Sequence, residues 1–139
     1  MAIHYVAGNR ILDQIAGAVS PTIPATYYFG LSTTSIADAG TGYTEPSTSG
    51  TAYARVAVDN NKTTFGNAAA NSITTLISIS FPESTASWGT ITNVFIADAS
   101  AVGTGNILYS GTLSLPTAVA SGTVFYFGAG GVTFTLVNV

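Results

Sequence analysis

"ITTLISISF", residues 73–81, alternates apolar and hydroxyl side chains with a period of two. Ile73, Ile77, Ile79 and Phe81 fall on one side, Thr74, Ser78 and Ser80 on the other. That is the pattern of a half-buried strand, and Pro82 closes it. The reading extends in both directions. "TYYFGLS" (26–32) sets Tyr27, Phe29 and Leu31 on one face, and "TAYARVAVD" (51–59) alternates around Arg55. "TITNVFIAD" (90–98) is apolar enough to be buried partly on both faces. "NILYSGTLSLP" (106–116) reads as a strand with Gly111 as a bulge or bend. "GTVFYFG" (122–128) and "VTFTLVNV" (132–139) read as a hairpin turned by "GAGG". Residues 36–50 and 60–72 have the Gly, Ser, Thr and Asn content of surface loops, the second pinned by Phe65.

About seven short strands, Gly-rich turns and no intervening helices predict an all-β chain. The expected form is an antiparallel β-sandwich or jelly roll-like barrel. The N-terminus differs. "GNRILDQIAGAV" places Ile11, Leu12, Ile15 and Val19 at helical spacing, predicting a short helix over 9–18 with Asn9 as N-cap and Pro21 and Pro24 beyond its end. The chain thus divides into an N-terminal arm with a short helix, 1–24, and a β-sandwich domain, 25–139.

Composition narrows the function. Of 139 residues only 6% are charged, while Ser and Thr supply 35, and the net charge is −3. Proteins ordinarily carry about 25% charged residues, which keep copies apart. A surface this poor in charge is expected to be covered by something, most simply by copies of itself or a scaffold. The three cations, Arg10, Arg55 and Lys62, are scattered, so no basic patch for nucleic acid exists. No apolar run reaches the ~20 residues of a membrane span. The opening stretch lacks the layout of a signal peptide, so the mature start is expected near Met1. The absence of Cys excludes disulfides and thiol chemistry.

Little in the chain points to catalysis. The single histidine, His4, is expected to be a loose terminal residue, and no G-x-S-x-G elbow is present. Glu45 and Glu83 sit beside prolines in turns, where carboxylates bond nearby backbone N–H groups. The loops at 38–42 and 98–106 carry one Asp each, too few for a hard cation. No enzyme activity, metal or cofactor is expected. Tyr43 and Trp88 are candidate surface aromatics.

The order of pieces carries further information. "NRILDQIAG", "TYYFGLSTT", "GYTEPS", "GTAYARVAV", "ISFPESTASWGTITNVFIADA", "NILYSGTL" and "GTVFYFGAGGVTFTL" follow one another from about Asn9 to Leu136. This succession resembles a family of small tailed-bacteriophage virion proteins labelled phage tail fiber protein or Gp80-like. The resemblance implies shape residues and no catalytic ones: Glu45, Tyr53, Arg55, Pro82, Trp88, Gly89 and Asp98. Arg55 is then expected to clamp the 36–50 loop to the sheet, with Glu45 as preferred partner and Asp98 as second.

The expected role is a virion structural protein, most concretely a capsid decoration (cement) protein on the capsid surface. Its partners would be itself, as a homotrimer, and other virion proteins such as the major capsid protein. Ile11, Leu12 and Ile15 would serve as the assembly arm. The alternative is a tail fibre or tail-tip module whose Tyr43 and Trp88 meet a host surface glycan. Neither nucleic acid nor membrane is expected as a partner.

Overall fold

The computed structural model describes residues 1–136. The elements in chain order are β1 (Ala2–Ile3), α1 (Tyr5–Ala16), β2 (Thr26–Ser32), β3 (Val56–Asp59), β4 (Ser72–Thr74), β5 (Ile79–Ser80), β6 (Gly89–Ala97), β7 (Ile107–Val119), β8 (Tyr126–Phe127) and β9 (Thr133–Thr135). A five-stranded sheet runs β1-β7-β6-β2-β3, and two small ladders pair β4 with β9 and β5 with β8, all antiparallel. The chain is all-β with one short helix, a sandwich in which the small ladders cover one face of the larger sheet.

β2 and β6 lie inside the sheet and are buried on both faces, as the apolar run 90–98 predicts. Toward the ladders, Phe29, Leu31, Ile91, Val94, Ile96 and Leu108 meet Phe65, Ile79, Phe81, Phe125, Val132 and Phe134. Toward the other face, Phe95, Ala97 and Ile107 form a smaller core closed by Ile36 and Tyr43 from the 33–50 segment. Gly30 is required where these layers meet. A Cβ there would lie 2.2 Å from Phe95 Cζ, so the ring could not cross β2 above any larger residue.

The structure departs from the sequence reading in several places. The predicted strand 73–81 is broken: β4 pairs with β9, β5 with β8, and Leu76 and Ile77 between them are exposed. Alternation specifies a strand's faces but not its partner. Here the opposing segment makes a turn of its own, in which Gly131 donates to the Gly128 carbonyl and Gly130 to that of Thr75. For the same reason "GAGG" does not turn a hairpin. The strands beside it pair with β5 and β4 rather than with each other.

Gly111 is no bulge. It pairs regularly with Val94 and lies under the Met1 side chain. The irregularities fall on either side of it, one where the pairing steps from Ala97 opposite Ile107 to Ile96 opposite Tyr109, the larger where β7 passes from Thr112 opposite Asn93 to Thr117 opposite Ile91. That extra length contains Pro116, which has no N–H to give to a ladder. In the predicted strand 51–59 only Val56–Asp59 joins the sheet, because Ala52 takes a left-handed backbone (φ 59°) and turns the chain off the edge. The helix begins four residues before the predicted Asn9 cap. His4 occupies the cap position without a side-chain capping bond, and the helix ends at Ala16. Of the predicted strand 132–139, residues 137–139 lie outside the described residues.

Candidate functional site

The left-handed turn at Ala52 sends Tyr53 and Arg55, two residues apart, to the same inner side of the chain. The β2–β3 ladder ends at Phe29 opposite Val56, so the Leu31 amide has no strand partner there. The Tyr53 hydroxyl replaces it, accepting from Leu31 N at 2.9 Å and donating to Glu45 Oε1 at 2.9 Å.

Arg55 forks onto the same carboxylate. Its Nε donates to Glu45 Oε1 at 3.0 Å and its Nη2 to Oε2 at 2.8 Å. Its Nη1 donates to the carbonyl oxygens of Ala99 and Thr104 at 2.7 and 2.9 Å. The Gly103 amide completes the set by donating to Glu45 Oε2 at 2.8 Å. The two side chains are 0% and 2% exposed, and the guanidinium lies 5.2 Å from the centre of the Phe95 ring. Each Glu45 oxygen therefore accepts two bonds, which a buried ion pair needs to offset its desolvation. Burial works to lower the Arg55 pKa, but the Glu45 hydrogen bonds and charge outweigh it and raise the pKa. Burial first, then the Glu45 charge, pushes the Tyr53 phenol up, keeping it a protonated donor. Three segments thus meet at one carboxylate: the 33–50 loop, the 51–55 turn and the 98–106 loop.

Asp98 does not join this pair. Its carboxylate accepts from Asn106 N and Nδ2 at 2.7 and 2.9 Å and lies 3.6 Å from Arg10 on α1. Burial alone would raise the Asp98 pKa. The Asn106 bonds and the Arg10 charge more than reverse that and hold it below its ordinary value. Asp98 closes the base of the 98–106 loop, while Arg55 and Glu45 hold its middle.

Trp88 is no surface platform. It is 3% exposed, donates from Nε1 to the Thr51 carbonyl at 2.8 Å, and meets Tyr53 edge-on at 5.2 Å. The indole fills the space between the 51–55 turn and Phe81, where its apolar area is worth most. Tyr43 is half-buried against Phe95. Of the α1 residues, Ile11 is partly covered, whereas Leu12 and Ile15 are 63% and 79% exposed.

His4 is not the loose residue expected. It is buried, with Nδ1 2.9 Å from the Asp38 carbonyl and Nε2 2.6 Å from Ser110 Oγ. A carbonyl only accepts, so Nδ1 donates to Asp38, while the Ser110 hydroxyl can serve Nε2 as donor or acceptor. His4 thereby ties the start of α1 to β7 and to the 33–50 loop. Its distance in sequence from both partners left no signal of this.

Among the described residues no three His, Asp or Glu side chains gather as a metal site. No described helix is long and apolar enough to cross a membrane.

Residues 2–135 match the family Gp80, described as podophage GP4 fiber I protein gp80. The chain belongs to the Gp80 family. It is therefore a phage virion component. No curated protein matches it.

Proposed function

We propose that this Gp80-family chain is a structural building block of a phage fibre, joined to copies of itself through α1. The observation that carries the proposal is the outer face of that helix. One side is docked: Ala7 is buried and the helix packs along β7. The other side presents Tyr5, Gly8, Leu12 and Ile15, with Tyr5 and Leu12 each 63% exposed. These residues recur at spacings of three and four, the a and d positions of a heptad. A Cβ on Gly8 would touch nothing within 4 Å, so another helix has room to approach. Asn9, Ile11 and Ala16 beside the seam are uncharged, so copies of a chain with net charge −3 meet there without direct repulsion.

Leu at an a position with Ile at a d position favours more than two helices. The reading is of three copies around one axis. The family's description as a fibre favours this role over capsid decoration. Glycan contact through Tyr43 and Trp88 drops out, since the indole is inside. Sedimentation equilibrium tests the assembly. The expected result is a trimer for the wild-type chain and a monomer for Leu12→Asp with Ile15→Asp, both with unchanged circular dichroism. A wild-type chain that stays monomeric at high concentration overturns it.

A further inference from the structure

We propose that the trough between α1 and the 60–72 loop binds an acidic oligosaccharide, with Lys62 meeting its carboxylate. The trough floor is Tyr27, Tyr109 and Phe134, with Phe65 in one wall. Its central cleft, of about 350 Å³, continues past Tyr27 and Tyr109 toward Arg10 and Gln14 on α1. On the other side it runs past Ile73 and Phe134 toward Asn71 and Leu136. The three depressions adjoin one another around Tyr109, the second and third also sharing Ile11, so several sugar units have room to sit about one ring.

The rings are fixed by their neighbours. Tyr27 meets Phe65 edge-on at 6.1 Å, and Phe134 meets Phe65 at 5.8 Å and Tyr109 at 5.2 Å. Such rings offer rigid apolar area to the carbon faces of sugars, while phenol hydroxyls and the Asn60 and Asn61 amides supply hydrogen bonds. Burial raises the pKa of both Tyr27 and Tyr109, so both remain protonated donors at neutral pH.

Charge selects the acid. Arg55 is committed to Glu45 and Arg10 to Asp98. Lys62, exposed at the rim, is the remaining cation; among the described residues it contacts no carboxylate, and its Nζ donates to the Gly66 carbonyl at 2.9 Å. One compact ammonium with further donors to spare matches a single carboxylate per binding unit. The clusters of cations that phosphate chains require are absent from the trough.

The proposal stands apart from the assembly reading, because Leu12 and Ile15 of the outer seam do not line the trough. Titration of the full chain with trigalacturonate and with neutral galactotriose, followed residue by residue by NMR, tests it. Trigalacturonate is expected to shift the amides of Tyr27, Asn60, Lys62 and Tyr109, and galactotriose to bind more weakly. Lys62→Gln, a surface change, should weaken the acid about tenfold, as loss of one charge-assisted hydrogen bond does. Tyr109→Phe, which keeps the ring packing, should weaken it about threefold. Absence of shifts at millimolar sugar, equal affinity for the two sugars, an unaffected Lys62→Gln variant, or tighter binding of a single-stranded oligonucleotide overturns it. The same samples in sedimentation report the oligomer, so either proposal can fail without the other.

Discussion

The two faces of the five-stranded sheet are closed by different means. One is covered by the β4–β9 and β5–β8 ladders, which bring Phe65, Ile79, Phe81, Phe125 and Phe134 onto the sheet. Its rings meet mostly edge to face, and its stability is a matter of apolar area removed from water. The other is covered by the 33–50 loop, which brings only Ile36 and Tyr43 onto Phe95, Ala97 and Ile107. That apolar contact is small, and directed bonds add to it, above all those of the Glu45–Arg55–Tyr53 cluster. A cover held by area tolerates substitutions of similar size. A cover held by a buried ion pair is intolerant of losing one partner.

The largest effect should come from Arg55→Met, which leaves Glu45 buried without its counter-charge. Roughly 3–5 kcal/mol should be lost in chemical denaturation, with rapid proteolysis in 36–50. Arg55→Met together with Glu45→Leu should recover a large part of that loss, since an apolar pair of similar volume needs no partner. If the single variant is as stable as the wild type, the distinction between the two faces fails.

On the aromatic side, Phe81→Leu keeps an apolar side chain at a site 2% exposed. It should cost about 1–1.5 kcal/mol by thermal unfolding, with the loop side unchanged to proteolysis. A loss as large as that of Arg55→Met would show that both covers depend on unique contacts.

The smallest effect belongs to Asp98→Asn, which removes the Arg10 contact at the base of the 98–106 loop. Near neutral pH the variant should be less stable by under about 1 kcal/mol. The Asp98 pKa is lower folded than unfolded, so its contribution is present above the ordinary value of 3.8 and disappears as pH falls through the lower folded value. Melting curves of the two proteins should therefore converge as the pH falls well below that ordinary value. A difference that persists there would place the effect in loop geometry instead of charge.

Much of this was legible beforehand where the cause is local. The strand 26–32 was readable to the residue, and 90–98 to within one, because both lie in the middle of the sheet and show it in their apolar content. Arg55 and Glu45 were readable as partners because a charge in so neutral a chain needs an opposite charge within reach. Asp98 was misplaced as the second candidate. Which carboxylate a cation meets depends on where α1 docks, and that brings Arg10 to Asp98. Trp88 was misread as surface because a turn-like stretch carries no information about what packs above it.

The amino-acid pattern by itself determined that the chain is all-β, that it has one N-terminal helix, and that Arg55 and Glu45 are partners. Those outcomes follow from side-chain periodicity and desolvation, which act residue by residue. Only the tertiary structure decided that 73–81 serves two ladders, that His4 is buried between β7 and the 33–50 loop, and that one face of α1 stays uncovered. These depend on contacts between segments far apart in the chain, whose energies are comparable for many pairings until the whole body closes around one of them.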